Sequence, residues 1–332
     1  MKRIAAPVAV TMLVAVGLVA PAAYGDDRRD NPEMISLFQP LAQGIQESVV
    51  QVLCGGRPVA LGTVVAADGY VLTKRSELTS DPIRVRLADG RMFPARVAAV
   101  RRRNDLALLR VDSEIALVPV QFSSESPSIA SFLISVGRTG RPIGIGVVGV
   151  KERPIAHRGR LGVLLEDDAS GRALVQLVVP DSGAAIAGIT PGDRIVAING
   201  REENSRIGVI ETLRGMFPGE SVRLTLLRPN EVSELEPVDV DARIRDMGML
   251  QESESDSKVN GPRNLRLSGF DQVIQHDTVL DPDECGGPVL DSNGRVVGIN
   301  IARAGRVVSY SLPSSLVMPE MVGMLEEARR NR

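Results

Sequence analysis

Aromatic residues, histidine and cysteine are scarce in this 332-residue sequence, which has no tryptophan, three tyrosines and six phenylalanines. A core poor in aromatics suits short strands and tight turns packed through Val, Ile and Leu. The two cysteines exclude a disulfide-rich scaffold, and the two histidines leave few candidates for a metal cluster or an imidazole base. The formal net charge of -2 gives no global field that would attract nucleic acid or an anionic membrane.

The N-terminus has the pattern of an export signal. Two basic residues precede an apolar run over residues 4–22, and the Ala-Tyr-Gly at 23–25 offers small residues that suit a signal peptidase. We therefore predict a signal peptide over residues 1–25, a lead-in with a short helix over 26–43, and a protein that is periplasmic or secreted. An uncleaved membrane anchor is the alternative, although the run is short for a membrane span and is interrupted by Gly and Pro.

Repeated short strand patterns occupy residues 44–154. Apolar and polar residues alternate through Ile83–Leu87, and an apolar run follows Asp105. Asp-Gly pairs at 68–69 and 89–90 separate neighbouring strands, as is typical of tight turns. Many short strands joined by such turns predict an all-β barrel or sandwich.

A different pattern begins near residue 155. Residues 187–200 read A-G-I-T-P-G-D-R-I-V-A-I-N-G, and apolar residues at helical spacing follow. This segment ends near residue 230. Residues 231–264 are acidic, rich in Ser and interrupted by Gly and Pro, so they are predicted to form a flexible linker. The strand pattern then resumes at Leu265.

Three groups of residues resemble the HtrA-type trypsin-like proteases. They are D-G-Y-V-L-T at 68–73, D-L-A-L-L at 105–109, and Q-H-D-T-V-L-D-P-D-E-C-G-G-P at 275–288. The run at 187–200 resembles a PDZ domain. The resemblance implies a fold that is mainly β: a trypsin-like double β-barrel, split in the sequence, with an inserted α+β PDZ domain.

The order of the segments differs from that of the family, which places its PDZ domain after the protease domain. Here the PDZ-like segment, residues 155–230, interrupts the second barrel. The protease-like domain is therefore predicted to comprise 44–154 and 265–332.

The same register assigns three residues to the positions of the family's catalytic triad. Ser76 stands in place of the His, Asp105 in place of the Asp, and Cys285 in place of the nucleophilic Ser. A Ser hydroxyl does not accept a proton near neutral pH as imidazole does, so Ser76 cannot act as the general base. Without an imidazole, Asp105 has nothing to orient.

The loop around Cys285 also departs from the family. Asp283 replaces a Gly whose backbone N–H helps to form the oxyanion hole, although Gly286 is retained. The carboxylates of Asp283 and Glu284 oppose ionisation of the adjacent thiol, which raises its pKa. A disulfide with Cys54 would need both cysteines at one place between two barrels, so we favour unpaired thiols.

Neither histidine takes over the missing role. His157 lies at the entry to the PDZ-like segment, and His276 lies on the strand that leads into the Cys285 loop. Neither occupies the family's position, so both are interpreted as surface or hinge residues. The spacing of Cys, His, Asp and Glu predicts no metal site, and no cofactor is expected.

The PDZ-like segment retains its binding motif. Arg160, Leu161, Gly162 and Val163 match the loop whose backbone amides hold a peptide's C-terminal carboxylate. We therefore expect an exported, proteolytically inactive factor that binds unfolded proteins or peptide C-termini in envelope protein quality control or regulation. An active endopeptidase and a purely structural envelope component are the alternatives. Relatives of this type are often oligomeric, so a homo-oligomer is also considered.

Overall fold

The structure, a computed structural model, describes residues 31–230, 232 and 234–331. The predicted signal peptide over 1–25 lies outside the described residues. Among the residues described, no helix has both the length and the apolar character needed to cross a membrane.

The first barrel is closed and has six strands, numbered β1 to β6 in chain order. Around the barrel they are ordered β1-β2-β3-β6-β5-β4. The predicted strand segments and Asp-Gly turns form this barrel. Its strands are β1 (Val49–Cys54), β2 (Arg57–Ala66), β3 (Tyr70–Lys74), β4 (Ile83–Arg86), β5 (Met92–Arg101) and β6 (Leu106–Val111).

The second barrel is built from two separate parts of the chain. Strands β7 (Phe132–Val136) and β8 (Pro142–Ile155) precede the PDZ segment. Strands β17 (Phe270–His276), β18 (Pro288–Asp291), β19 (Val296–Gly305) and β20 (Val308–Pro313) follow it. They close in the order β17-β20-β19-β18-β7-β8, with β8 paired antiparallel to β17 across the insertion. The split double barrel is therefore confirmed.

The inserted domain is a sheet ordered β10-β11-β12-β14-β15, with β13 paired to β12. Apolar side chains of this sheet and of helix α3 form a separate core. Its elements are β9 (Gly159–Arg160), β10 (Val163–Asp167), β11 (Ala173–Val178), α2 (Gly183–Ile186), β12 (Arg194–Ile198), β13 (Arg201–Glu202), α3 (Arg206–Arg214), β14 (Ser221–Pro229) and β15 (Leu235–Arg243).

The prediction of a flexible linker over 231–264 was wrong for most of its length. Strand β15 pairs along all of β14, because Val238, Val240 and Ala242 alternate inward while acidic residues face solvent. The acidic composition suggested a linker, but the apolar residues recur at every second position, which is typical of a strand with one buried face. The PDZ sheet thus extends past the predicted boundary at 230. After it come β16 (Arg245–Asp246), which pairs with β9, and helices α4 (Met247–Leu250) and α5 (Glu254–Asn260).

Helices at both ends of the described chain pack on the barrels. In α1 (Pro32–Gln43), the side chains of Ile35, Phe38 and Ala42 join an apolar cluster that contains side chains of both barrels. In α6 (Ser314–Arg330), apolar residues complete a cluster shared by both barrels. The predicted lead-in helix is therefore part of the folded domain and not a solvated spacer.

Candidate active site and peptide groove

Ser76 and Asp105 lie together, as the register predicts. The carboxylate of Asp105 accepts hydrogen bonds from the Ser76 backbone N–H and from its hydroxyl, both at 2.8 Å. Asp105 is fully buried and adopts the left-handed backbone conformation, with φ of 58°, which turns the chain into β6. The hydroxyl thus donates to the carboxylate, and the pair contains no imidazole that could serve as the general base of a triad.

Lys74, which sequence reasoning missed, supplies a positive charge at this point. Its ammonium lies 3.6 Å from an Asp105 carboxylate oxygen and 3.9 Å from Glu77, and it donates a hydrogen bond to the Ile301 carbonyl. The side chain is completely buried. A buried carboxylate needs a partner, and Lys74 neutralises Asp105 where an imidazolium would form in an active triad.

The Cys285 thiol is enclosed and protonated. Its relative exposure is 0%. Burial raises the pKa of the thiol to about 12, and the nearby positive charge of Lys74 only partly offsets this effect. Both cysteines are free thiols, with Cys54 in the core of the first barrel. At neutral pH, Cys285 therefore lacks the thiolate that a nucleophile needs.

The loop before Cys285 is wound into a short 3-10 turn over Pro282–Glu284. Within this turn the backbone N–H of Cys285 donates to the Pro282 carbonyl at 3.4 Å, so it is not directed at a substrate oxyanion. Gly286 has φ of 102°, and a Cβ there would approach the Leu61 carbonyl oxygen to 2.0 Å. The Gly is thus required by the loop's close packing, whether or not catalysis occurs.

Glu284 holds the turn through a hydrogen bond, and the pKa of its carboxyl group is raised. Its carboxyl group accepts the Asp281 backbone N–H at 2.7 Å. Burial raises the pKa of this carboxyl to about 7, and the neighbouring carboxylates of Asp281 and Asp283 add to the shift. Glu284 is therefore partly neutral near pH 7, which limits the charge repulsion inside this acidic turn.

A segment between the PDZ domain and β17 covers the Cys285 loop; we refer to residues 263–268 as the strap. Most of the contacts come from Asn264, whose side-chain amide donates to Glu77 and to the Pro282 carbonyl, each at 2.9 Å. The amide oxygen of Asn264 accepts the Arg303 backbone N–H at 2.7 Å, and its own backbone N–H donates to the Arg303 carbonyl. One side chain thus ties together the loop, strand β19 and the residue after Ser76.

The PDZ domain also contacts this site, beside the strap, through residues 217–220, the PDZ turn. Glu220 is 4% exposed, and it binds Arg75 at 2.9 Å and Arg102 at 2.6 Å. Arg75 directly precedes Ser76 in the sequence, and Arg102 lies shortly before Asp105. At Gly219, a Cβ would lie 3.0 Å from the Ser76 Cβ, so the turn rests directly on Ser76.

Arg266 of the strap completes the joint between the domains. It is fully buried, stacks on Phe217 with its guanidinium carbon 4.1 Å from the ring centre, and donates to the carbonyls of Arg102 and Arg103. Burial lowers the pKa of its guanidinium to about 10. Arg266 therefore remains charged near neutral pH, held by carbonyl oxygens and an aromatic face.

The two histidines differ in their surroundings. His157 is half-buried at the joint, where its ring contacts the Arg214 carbonyl at 2.9 Å and packs edge-on against Phe217. His276 is buried inside the second barrel between Thr278 and Ser311, and burial lowers the pKa of its ring to about 4. The expectation of a surface or hinge position fits His157, but for His276 it was wrong, because His276 points into the barrel from β17.

The residues 160–163, the carboxylate loop, lie at the mouth of a groove between β10 and α3. Strand β10 forms one edge of the PDZ sheet, so its outer side faces the groove. Gly162 has φ of 92°, and a Cβ there would approach the Ser182 Cβ to 2.1 Å, so only Gly fits. The groove has a volume of about 350 Å³ and is lined mainly by apolar side chains, including Leu161, Ile210 and Leu213. An extended peptide added beside β10 would fill it.

The chain matches two family models. The model of the trypsin-like peptidase domain matches residues 60–188, and the model of the PDZ domain matches residues 143–238.

Curated proteins with similar sequences are periplasmic proteases. The periplasmic pH-dependent serine endoprotease DegQ of Escherichia coli is 23% identical over 299 residues, covering 64% of this chain and 62% of DegQ. The periplasmic serine endoprotease DegP of the same organism is 21% identical over 331 residues, covering 72% of this chain and 68% of DegP. A probable DegP-like endoprotease of Rickettsia prowazekii is 25% identical over 162 residues, and the chain spans 32% of its length.

Proposed function

We propose that the chain, which matches models of the trypsin-like peptidase domain and of the PDZ domain, is a member of the HtrA/DegP-type family and that it works without proteolysis. In this proposal it is a peptide-binding factor in envelope protein quality control or regulation. Its ligands are unfolded proteins or peptide C-termini held in the groove between β10 and α3. The relatives are named as periplasmic, and a periplasmic location agrees with the export signal that the sequence predicts.

The observation that carries this proposal is that the catalytic cleft is occupied by the chain itself. The strap covers the Cys285 loop, and the PDZ turn lies on Ser76. A trypsin-like mechanism needs a base beside an accessible nucleophile and free oxyanion donors. Here the hydroxyl of Ser76 donates to Asp105 and the Cys285 thiol is buried.

Active proteolysis is the second candidate, because the relatives are named as serine endoproteases. It would require the strap and the PDZ turn to move away, and a base to reach Cys285. The ion pairs of Glu220 and the hydrogen bonds of Asn264 would all have to break.

Calorimetry with a peptide that ends in an apolar residue tests the proposed function. We expect binding by the free acid, and binding at least about tenfold weaker for the C-terminal amide, because the loop amides lose a charged acceptor. Equal affinities for the two peptides, or no binding of either, would refute carboxylate capture.

Substitutions of two glycines in the PDZ domain provide the matched control. Gly162→Ala should abolish binding because its Cβ collides with Ser182. Gly171→Ala is also at positive φ, but nothing lies within 4 Å of its Cβ, so binding should persist.

A further inference from the structure

The outer surface of the first barrel carries arginines that no acidic residue balances. Strands β4, β5 and β6 contain no Asp or Glu, and their charged residues are Arg84, Arg86, Arg96, Arg101 and Arg110. Arg101 is paired with two glutamates of α6. The other four arginines form no ion pair within the described part of the chain, and we refer to these four as the basic face.

The strand register brings the members of the basic face together. Alternate residues of β4, β5 and β6 join the core of the first barrel, so the arginines between them point outward. Arg96 lies directly opposite Arg110 across the β5–β6 pair. Arg84 lies opposite Pro94, two residues before Arg96, so Arg84 and Arg96 are diagonal neighbours, about 7–8 Å apart.

This arrangement of like charges has no compensation within the fold. Directly opposed like charges destabilise a sheet. Arg110 is held over the ring of Tyr70 at 5.1 Å, and Arg329 of α6 approaches the same ring at 5.8 Å. Arg329 is paired with Asp68, whereas Asp112, which follows β6 beside this surface, pairs with none of the described residues. The excess positive charge therefore favours an anionic partner outside the chain.

Exposed apolar side chains lie beside these arginines. Met92 is opposite Arg86 and is 47% exposed, and Pro94, opposite Arg84, is exposed as well. At a membrane surface, arginines contact anionic headgroups while neighbouring apolar side chains enter the boundary between headgroups and acyl chains. A soluble polyanion would contact the arginines but would gain little from Met92.

A second copy of this chain does not suit the basic face. A symmetric contact through this surface would place arginines against arginines. The formal net charge of -2 does not oppose local binding, because the attraction of exposed charges acts over about a Debye length. The basic face thus requires an anionic partner of a different kind.

We propose that the basic face, together with Met92, docks the exported protein on a membrane surface that carries anionic phosphate headgroups. The arginines contact the phosphates, and Met92 enters the apolar boundary beneath them. This inference goes beyond the proposed peptide binding and does not depend on it. It uses only the predicted export, which brings the protein next to a membrane.

Sedimentation with lipid vesicles tests the inference on the chain from residue 26, because the apolar run at 4–22 would bind any bilayer. Every core cluster of the described chain lies within residues 31–331, so this form keeps the folded domains. We expect binding to vesicles of equal parts phosphatidylcholine and phosphatidylglycerol, and little binding to phosphatidylcholine alone. Binding should decline as salt is added.

Two double variants test the assignment to this surface. Arg84→Gln combined with Arg96→Gln should weaken binding to the anionic vesicles about tenfold or more, since each arginine near such a surface strengthens binding roughly fivefold. Arg172→Gln combined with Arg201→Gln removes the same charge from exposed positions of the PDZ domain. This control should bind within about twofold of the parent chain. Thermal unfolding verifies that both variants are folded.

Met92 separates a bilayer from a soluble polyanion. Met92→Ser keeps every arginine, and it should weaken binding to the anionic vesicles about twofold or more, because an apolar contact is lost. It should leave binding to polyglutamate unchanged. The parent chain should also bind polyglutamate more weakly than anionic vesicles at the same concentration of negative charge.

Several results would overturn the inference. They are the absence of binding to anionic vesicles, equal binding by the parent chain and the Arg84→Gln, Arg96→Gln variant, and an equal loss in the PDZ control. Tighter binding to polyglutamate than to vesicles would assign the basic face to an acidic protein instead of a membrane. None of these results bears on peptide capture in the groove, which calorimetry tests separately.

Discussion

Of the three side chains at the predicted triad positions, two form a buried hydrogen-bonded pair and the third is enclosed. Ser76 donates to Asp105, Lys74 neutralises Asp105, and Cys285 is fully buried. The sequence predicted which residues occupy these positions, and the structure brings Ser76 and Asp105 into contact. It did not predict Lys74, because a lysine next to a turn is ordinarily solvated, and only the folded barrels bring the Ile301 carbonyl to its ammonium.

Reactivity of Cys285 follows from its burial. With the pKa of the thiol raised to about 12, we expect an alkylating probe to label Cys285 at pH 7 at least about a hundredfold more slowly than a small free thiol. Cys54 is also buried, so Cys54→Ser serves as the background in which Cys285 is the single thiol. Rapid labelling of folded Cys54→Ser would show an accessible thiolate and contradict this assignment.

Glu284 should make stability depend on pH. Because burial raises the pKa of the carboxyl from its usual 4.5 to about 7, the folded state binds a proton that the unfolded state has released. Its favourable contribution is complete below pH 4.5 and is lost as the pH rises through 7.

Substituting Glu284 by Gln isolates this effect. Glu284→Gln keeps an acceptor for the Asp281 N–H but does not titrate. Urea unfolding at pH 5 and pH 8 should show the variant gaining stability relative to the natural protein at pH 8. A stability difference that is the same at both pH values would contradict the raised pKa.

At the level of elements, the PDZ turn and the strap hold the PDZ domain against the barrels. Glu220 contacts Arg75 and Arg102, and Arg266 reaches two carbonyls beside Asp105. Sequence patterns identified the strands on both sides but not these contacts. Arg75 and Glu220 are separated by 145 residues, and neither belongs to a periodic pattern that would mark it as buried. For the same reason the first two residues of the strap, Arg263 and Asn264, were assigned to a linker.

Breaking the Glu220 contacts should lower the free energy of unfolding more than breaking an exposed ion pair of the same domain does. Burial acts to raise the pKa of Glu220, but the hydrogen bonds and charge of Arg102 outweigh it and lower the pKa overall. We expect Glu220→Gln to reduce the free energy of unfolding by about 1–3 kcal/mol, because the two arginines lose a buried partner while remaining partly solvated.

The Arg223–Asp241 pair offers the control. Both side chains are mostly exposed, so Asp241→Asn should change the free energy of unfolding by less than about 1 kcal/mol. Urea denaturation measures both variants. Equal effects of the two substitutions would show that the PDZ turn does not anchor the domain.

At the level of the whole molecule, the PDZ domain is inserted between β8 and β17. The chain enters and leaves the domain through the second barrel, and the end of α3 leads within a few residues to the PDZ turn on Ser76. Turn pairs and strand periods are local signals, and they predicted a barrel or sandwich. The double barrel and the inserted PDZ domain were predicted from the resemblance to HtrA-type proteases. The closed cleft could not, because it depends on contacts between segments distant in sequence.

Peptide binding in the groove should therefore be detected near the predicted triad positions. We expect a bound peptide to slow amide hydrogen exchange in residues 217–220 and in the loop 281–288, since α3 forms the groove wall and continues into the PDZ turn. Exchange measured with and without peptide tests this coupling. Protection confined to β10 and α3 would leave the PDZ domain an independent module.

The central claim is that the barrels no longer hydrolyse peptide bonds, and hydrolysis of an unfolded substrate tests it most directly. The full chain and Cys285→Ala are incubated with unfolded casein, and new peptide termini are counted over time. The account predicts that both proteins stay at the background of the buffer, because the thiol is buried and Ser76, at the position of the general base, donates its hydroxyl to Asp105. Sustained cleavage by the natural chain that disappears in Cys285→Ala would contradict it.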